Sequence, residues 1–151
     1  MNHIISQNID RDENMLRANL QRLVNEPGKY VALLIQDCPK TSSPQTEQLL
    51  RSTTANNLTV YSANLIDNKD ENLSNRLVTI LDTKLCTASQ HVQVGNAKAA
   101  SLIVHIKLLN RPAIYYLANT YIKPKQLLQE ITNTIDQKTS RLISAGDLNA
   151  S

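Results

Sequence analysis

The pattern of apolar and polar positions predicts that helices and strands alternate along the first half of the chain. Asp10 or Asp12 can cap a first helix, and Pro27 ends it because proline cannot continue a helix. Residues 30–35 form a continuous apolar run whose length is typical of a strand buried on both faces. Residues 58–66 predict a second strand.

Two more helices are predicted on either side of this second strand. Ser43 followed by Pro44 is a favourable helix start, and this helix would run to about residue 54. Asp67 or Asn68 can cap the other helix, whose apolar stripe has helical spacing and consists of Leu73, Leu77, Ile80, Leu81 and Leu85. Strands separated by helices favour parallel pairing.

The second half of the chain changes to the two-residue period of strands. Residues 91–94 form a short strand candidate, and residues 102–109 alternate as in a strand with one wetter face. After a turn at residues 110–112, residues 113–118 return as an antiparallel partner. Pro124 then opens a long final helix with apolar residues at Leu128, Ile131, Ile135 and Leu142.

Together, these elements predict an α/β fold of the mixed type. A single-domain mixed sheet of about four or five strands would be flanked by helices, with a late antiparallel hairpin and a long C-terminal helix. The globular domain would span residues 10–144, between flexible tails at residues 1–9 and 145–151. The length of 151 residues suits one such domain.

Composition argues against several classes of protein. No uncharged apolar run approaches the roughly 18 residues of a membrane helix, so no membrane insertion is expected. The N-terminus lacks the pattern of a secretory signal and the chain has only 2 cysteines, so a cytoplasmic location is expected. With 3 glycines in the chain, neither a Walker loop nor a dinucleotide fingerprint can form, and no cofactor is expected.

Charge is distributed unevenly, because no Asp or Glu occurs between Asp82 and Glu130. We call residues 83–129 the acid-free basic segment. Its candidates for binding an anionic partner are Lys98, His105, Lys107, Arg111, Lys123 and Lys125. Its candidates for stacking on bases are Tyr115, Tyr116 and Tyr121. These cations could meet nucleic acid, an acidic protein surface or only solvent.

Candidate catalytic groups form no recognisable constellation. Cys38 follows the first apolar run, and a thiolate there would need a base such as His91 or His105. A buried cysteine is more often a small apolar residue, although a disulfide with Cys86 is an alternative. The histidines are not at zinc-ligand spacing, and Asp37 is explained as a strand-end residue. No catalytic or metal site is therefore predicted.

These observations predict a non-catalytic protein-interaction domain, an adaptor or an assembly subunit, whose partner is another protein or a second copy. Residues 113–118 could act as an edge strand and pair with the same strand of that copy. The alternative is a small nucleic-acid-binding accessory protein that uses the acid-free basic segment. A thiol-dependent enzyme centred on Cys38 is a third alternative.

Overall fold

The computed structural model shows two four-stranded sheets and a helix that packs against the first sheet. It describes residues 3–38, 48–49, 51–52, 57–67, 70–96, 99–111, 114–121 and 141–147. The elements in chain order are β1 (His3–Asn8), α1 (Glu13–Asn25), β2 (Tyr30–Gln36), β3 (Leu58–Asp67), β4 (Asp70–Asp82), β5 (Cys86–Asn96), β6 (Ala99–Leu108), β7 (Ile114–Tyr121) and β8 (Arg141–Asp147). No helix in these described ranges is long and apolar enough to cross a membrane.

The first sheet has the strand order β1-β2-β4-β3. β1 runs parallel to β2, whereas β4 is antiparallel to both β2 and β3. Every residue of β2 is buried, because its side chains alternate between two apolar clusters. Leu33 and Ile35 pack with Leu16 of α1, while Ala32 and Leu34 pack with residues of the second sheet. This double burial explains the continuous apolar run in the sequence.

The second sheet has the strand order β5-β6-β7-β8. β5, β6 and β7 pair antiparallel, and β8 is parallel to β7. A three-residue turn joins β4 to β5, and in this turn the Leu85 amide donates to the Asp82 carbonyl at 3.1 Å. The two sheets face each other across an aliphatic core that includes Leu34, Leu77, Leu81, Leu102, Val104, Ile106 and Leu117.

The prediction of one helix-flanked sheet is wrong, and the apolar stripe after Asp67 shows why. Residues 70–82 form the strand β4, not a helix, and β4 lies between β2 and β3. Leu77 and Leu81 belong to the core between the sheets, whereas Val78 and Ile80 belong to the cluster beneath α1. Because both faces are buried, the strand shows no simple alternation, and its apolar positions coincided with helical spacing.

Both chain ends also differ from expectation. Residues 3–8, expected in a flexible tail, form β1 beside β2. Residues 141–147, expected to hold the end of a long helix and the start of a tail, form β8. The rest of that predicted C-terminal helix lies outside the described residues. So does most of the helix predicted over residues 43–54, of which residues 48–49 and 51–52 are helical.

Other predictions from the sequence are confirmed. Asp12 caps α1, where its Oδ1 accepts a hydrogen bond of 2.9 Å from the Asn14 amide. The strands predicted at residues 30–35 and 58–66 correspond to β2 and β3. The predicted hairpin corresponds to β6 and β7. However, β7 lies between β6 and β8, so it is not an edge strand that could pair with a second copy.

Candidate functional site at the carboxyl edge of the two sheets

The carboxyl ends of four strands meet at one edge of this two-sheet sandwich. β1 ends beside β2, and β7 ends beside β8. β4 reverses the direction of β2, so the short turn after β4 starts β5 near the amino end of β2. Two further reversals then make β7 run in the same direction as β2. We call this edge the carboxyl edge and define it by Asn8, Asp37, Tyr121 and Asp147.

A buried hydrogen-bond network joins the two sheets at this edge. Gln36 Nε2 donates to Asn119 Oδ1 at 2.8 Å, and the two residues are 1% and 0% exposed. Asn119 Nδ2 lies 3.1 Å from the Ile35 carbonyl, 3.0 Å from the Val78 carbonyl and 3.3 Å from Thr79 Oγ1. Buried amides without such partners would cost several kcal/mol, about 2–7 on transfer scales. The network therefore fixes how the ends of β2 and β7 face each other.

Asp37 directly follows β2 and is held against the loop that follows β1. The Arg11 amide donates to the Asp37 carbonyl at 2.8 Å, and Arg11 Nε lies 3.4 Å from Asp37 Oδ1. Asp37, Asp10 and Arg11 have φ of 54°, 49° and 59°, in the left-handed region that disfavours residues with a Cβ. Strained residues that the surrounding structure holds in place are typical of functional sites.

Asn8 ends β1 and connects this loop to the sheet. It lies opposite Gln36 in the parallel register, and its Oδ1 accepts a hydrogen bond of 2.9 Å from the Asp10 amide. One residue later, the Ile9 amide donates to the Gln36 carbonyl at 3.1 Å. The side chains of Asn8 and Asp37 are therefore positioned by the same short, internally bonded segment.

The last residue of β8 also lies at the carboxyl edge. Asp147 lies opposite Tyr121 in the parallel register, two positions beyond the level of Asn119. β8 also approaches β1 and β2 from the second sheet. Carboxylate and carboxamide oxygens are the ligands that hard divalent cations prefer, and a guanidinium such as that of Arg11 recognises phosphate oxygens. The described residues contain no group of three or more His, Cys, Asp or Glu side chains that could hold a metal ion.

Of the described residues predicted for anion binding and stacking, Tyr121 lies at the carboxyl edge and the others do not. His105 and Tyr116 stack on the second sheet with ring centroids 4.8 Å apart, and Lys107 and Arg111 are exposed near them. Tyr115 is half-buried and packs against the core between the sheets. Tyr121 is the last residue of β7, while Lys98, Lys123 and Lys125 lie outside the described residues.

The two cysteines do not form a catalytic centre. They are buried and are not joined in a disulfide. Cys38 packs in the apolar cluster of α1 and the first sheet, with Ile9 and Leu16. Burial, together with the negative charge of Asp82, raises the pKa of Cys86 to about 11. The geometry therefore gives no support to a thiol-dependent enzyme centred on Cys38.

Sequence reasoning missed Asn8 and Asp147, which it placed in tails, and treated Asp37 as an isolated strand end. The sequence did contain one indication that the ends of β2 and β7 meet. Gln36 is a polar residue directly after an apolar run, and Asn119 interrupts the pattern of β7. Polar residues at buried strand positions need partners, and here each is the partner of the other.

Comparison with known proteins identifies the fold. No protein-family model matches the chain, and no curated protein matches its sequence. TDP2 from D. rerio complexed with a single-strand DNA product has a TM-score of 0.67 at 16% identity, covering 97% of this chain and 60% of that one. ANGEL2, a 2',3'-cyclic phosphatase, in complex with adenosine-2',3'-vanadate gives a TM-score of 0.67 at 12% identity, with coverages of 97% and 53%. An endonuclease/exonuclease/phosphatase from Bacteroides vulgatus gives 0.64 at 10%, with coverages of 97% and 65%.

The described strands therefore have a fold like that of the endonuclease/exonuclease/phosphatase proteins. The chain spans between 53% and 65% of the length of these three structures. The prediction of a non-catalytic adaptor or assembly subunit is wrong, because solved structures with a similar fold are described as a 2',3'-cyclic phosphatase and an endonuclease/exonuclease/phosphatase. The alternative of a small nucleic-acid-binding accessory protein that uses the acid-free basic segment stays a prediction.

Proposed function

We propose that the chain is a phosphoester hydrolase that acts on a nucleic acid or a nucleotide at the carboxyl edge. The observation that carries this proposal is that Asn8, Asp37 and Asp147 stand at or directly after the ends of β1, β2 and β8, at one edge of the sandwich where β8 approaches β1 and β2. The fold supports it, since two of the similar structures are described as a 2',3'-cyclic phosphatase and an endonuclease/exonuclease/phosphatase, and the third holds a single-strand DNA product.

The substrate class follows from what the similar structures bind. One holds a single-strand DNA product, and another holds adenosine-2',3'-vanadate, in which vanadate stands in for a phosphoryl group. The chemistry that these two ligands share is a phosphate ester on a nucleotide. We infer that this chain recognises the same chemistry.

The residue types at the carboxyl edge are those that phosphoester hydrolysis requires. Phosphoryl transfer depends mainly on positioning and on neutralising the charge of the phosphate oxygens. The Arg11 guanidinium can bind one of these oxygens, because its neighbour Asp37 orients it at the loop. Asn8 and Asp37, together with the position of Asp147 at the end of β8, mark where a divalent cation of the magnesium type would be held. When bound, such an ion would supply further charge neutralisation and an activated water.

The test compares carboxylates at the carboxyl edge with a nearby carboxylate outside the proposed chemistry. We would measure hydrolysis of bis-p-nitrophenyl phosphate and of a 5'-labelled single-stranded oligonucleotide in the presence of Mg²⁺ or Mn²⁺. Asp37→Asn and Asp147→Asn should each lower kcat about 100-fold or more, the scale on which electrostatic groups of an active site act. Asn tolerates the left-handed backbone of Asp37, so Asp37→Asn should fold.

The matched control is Asp10→Asn, which removes an exposed carboxylate from the adjacent loop after β1 at a φ similar to that of Asp37. Its kcat should stay near that of the wild type. The proposal is overturned if the wild type hydrolyses neither substrate with either ion. It is also overturned if all three variants have the kcat of the wild type.

We also propose a cytoplasmic location. Two buried cysteines that form no disulfide suit a reducing compartment. Fractionation of cells with an antibody against the chain would test this, and recovery outside the cytoplasmic fraction would contradict it.

A further inference from the structure

The second sheet carries two neighbouring cavities that the proposed hydrolytic site does not use. The first has a volume of about 200 Å³ and is lined by Gln90, His91, Val92, Ile103, His105 and Tyr116. The second has a volume of about 510 Å³ and is lined by Thr87, Lys107, Leu108, Leu109, Asn110 and Arg111. The cavities are adjacent along β6, because His105 and Lys107 are two residues apart in the same strand.

The first cavity presents a flat aromatic surface. His105 and Tyr116 lie opposite each other in the register of β6 and β7, and their rings are stacked at an interplanar angle of 17°. Ser89, at a β-bulge between Ala88 and Gln90, forms a hydrogen bond of 2.6 Å with His105 Nδ1. The His105 ring is therefore held by two contacts before any ligand binds. Stacked rings of this kind are surfaces on which nucleic-acid bases bind.

The size of this cavity limits what it can accept. Pockets for drug-sized ligands usually enclose about 300–1,000 Å³, so a smaller cavity suits a single ring system. Val92 contributes an apolar wall and is 41% exposed, whereas Gln90 contributes an amide that can hydrogen bond to a polar ring edge. An apolar wall, a stacking face and an amide together match a nucleobase.

The second cavity places positive charge about as far from the stacked rings as the phosphate of a nucleotide lies from its base. Residues two apart in a strand point to the same face and are separated by roughly 7 Å, so Lys107 follows His105 on one face. Arg111 lies in the turn after β6, where its amide donates to the Leu108 carbonyl at 3.4 Å. Both side chains are exposed. A nucleotide likewise separates its base from its phosphate by one sugar.

The charged side chains of β5, β6 and β7 are all of one sign. The sequence has no Asp or Glu between Asp82 and Glu130, so no acidic side chain of β5, β6 or β7 opposes Lys107 or Arg111. An anionic group at this face would be attracted by Lys107 and Arg111.

We propose that the stack of His105 and Tyr116, together with Lys107 and Arg111, binds a nucleotide unit: the base against the stacked rings and the phosphate between the two cations. None of these residues belongs to the carboxyl edge, so this is a second site beyond the proposed hydrolytic one. The nucleotide unit could be part of a single-stranded nucleic acid or a free mononucleotide. In the first case, the face would hold a strand whose other part reaches the carboxyl edge.

Fluorescence anisotropy of the full chain with a fluorescein-labelled, phosphorothioate-linked thymidine decamer tests this site without requiring hydrolysis. Tyr116→Ala should raise the Kd about tenfold, whereas Tyr116→Phe, which keeps the ring, should stay near the wild type. Lys107→Gln combined with Arg111→Gln should also weaken binding at least about tenfold and reduce its dependence on salt. Arg17→Gln on α1 is the matched control for a lost exposed cation, and its Kd should be unchanged.

Competition by AMP distinguishes the two sources of the ligand. If AMP displaces the decamer at similar concentration, the site is one for a free nucleotide; if the decamer binds much more tightly, the site is one for a strand. Binding of the phosphorothioate decamer requires no hydrolysis, so the second site can stand even if the proposed hydrolysis fails. The proposal is overturned if the wild type binds neither probe, or if Tyr116→Ala and the double glutamine variant both bind like the wild type while circular dichroism shows them folded.

Discussion

Gln36 of β2 and Asn119 of β7 join the two sheets through a 2.8 Å hydrogen bond between their buried side chains. The Asn119 amide nitrogen has two hydrogens but three acceptors within reach, and Thr79 Oγ1 is the most distant of them at 3.3 Å. The two hydrogens are therefore donated mainly to the Ile35 carbonyl of β2 and the Val78 carbonyl of β4. One side chain of the second sheet thus satisfies backbone groups of two strands in the first.

Asn119→Leu should lower the free energy of unfolding by about 2–4 kcal/mol. The leucine leaves the Gln36 amide and the Ile35 and Val78 carbonyls without the Asn119 side chain as a partner, and each unsatisfied buried group costs about 1–3 kcal/mol. Urea denaturation would measure the loss. Gln36→Leu should cost less, because Gln36 donates to fewer groups in the other sheet.

The double variant Gln36→Leu with Asn119→Leu isolates the bond between the two side chains. Its cost should fall short of the sum of the single costs by about 1–2 kcal/mol, as expected for residues in one network. Strict additivity would show that the two amides act independently and that the sheets are joined by apolar packing alone.

Local pattern was sufficient to predict some elements and not others. The cap at Asp12, the apolar run after Tyr30 and the hairpin of β6 and β7 were predicted because each depends on residues close together in sequence. β4 was not, because a strand buried on both faces lacks the two-residue alternation. β1 and β8 were not, because each pairs in parallel with a strand that is separated from it by an intervening segment.

The candidate site could not be predicted from the sequence either, because it also depends on pairing between strands that are distant along the chain. Asn8, Asp37 and Asp147 have no common spacing in the sequence, and only the parallel pairings bring the ends of their strands to one edge. By contrast, His105 and Tyr116 were each singled out from the sequence as candidates, and the structure shows that they stack on each other. Composition could identify such residues one by one, but not the register that pairs them.

Stability should fall at alkaline pH because of Cys86. Burial, and to a lesser extent the charge of Asp82, raises the pKa of this thiol from 9.0 to about 11 in the folded chain. Below pH 9.0 the thiol is protonated in both states, so its contribution is fully present. Between pH 9.0 and about 11 the unfolded chain loses the proton first, so the free energy of unfolding decreases as pH rises.

Urea denaturation across this alkaline range would measure the effect as a difference between the wild type and Cys86→Ala. The variant should show a shallower decline, because it lacks the thiol. Cys38→Ala is the matched control, since it removes the other buried cysteine and leaves Cys86 in place. Equal slopes for wild type and Cys86→Ala would mean that the Cys86 thiol titrates alike in the folded and unfolded chains.

The cap of α1 should matter measurably for stability. Asp12 Oδ1 accepts from the Asn14 amide, so Asp12→Ala should cost about 1 kcal/mol in urea denaturation. Asp12→Asn retains an acceptor and should cost much less. If both variants are as stable as the wild type, other contacts and not the cap define where α1 begins.

Arg11→Gly separates the backbone role of this residue from its charge. Glycine relieves the left-handed strain at φ 59°, which stabilises by roughly 0.5–1 kcal/mol, while the partly exposed ion pair with Asp37 is worth about as much. The two changes should nearly cancel, so the free energy of unfolding should move by less than about 1 kcal/mol.

Phosphoester hydrolysis by Arg11→Gly should nevertheless fall by about 10- to 100-fold, because the guanidinium that neutralises a phosphate oxygen is gone. Arg11→Lys keeps the positive charge without the planar fork, and its rate should lie between those of Arg11→Gly and the wild type. Measured with bis-p-nitrophenyl phosphate, a rate for Arg11→Gly equal to the wild type would remove Arg11 from the reaction. Its ion pair with Asp37 would then serve only to hold the two loops together.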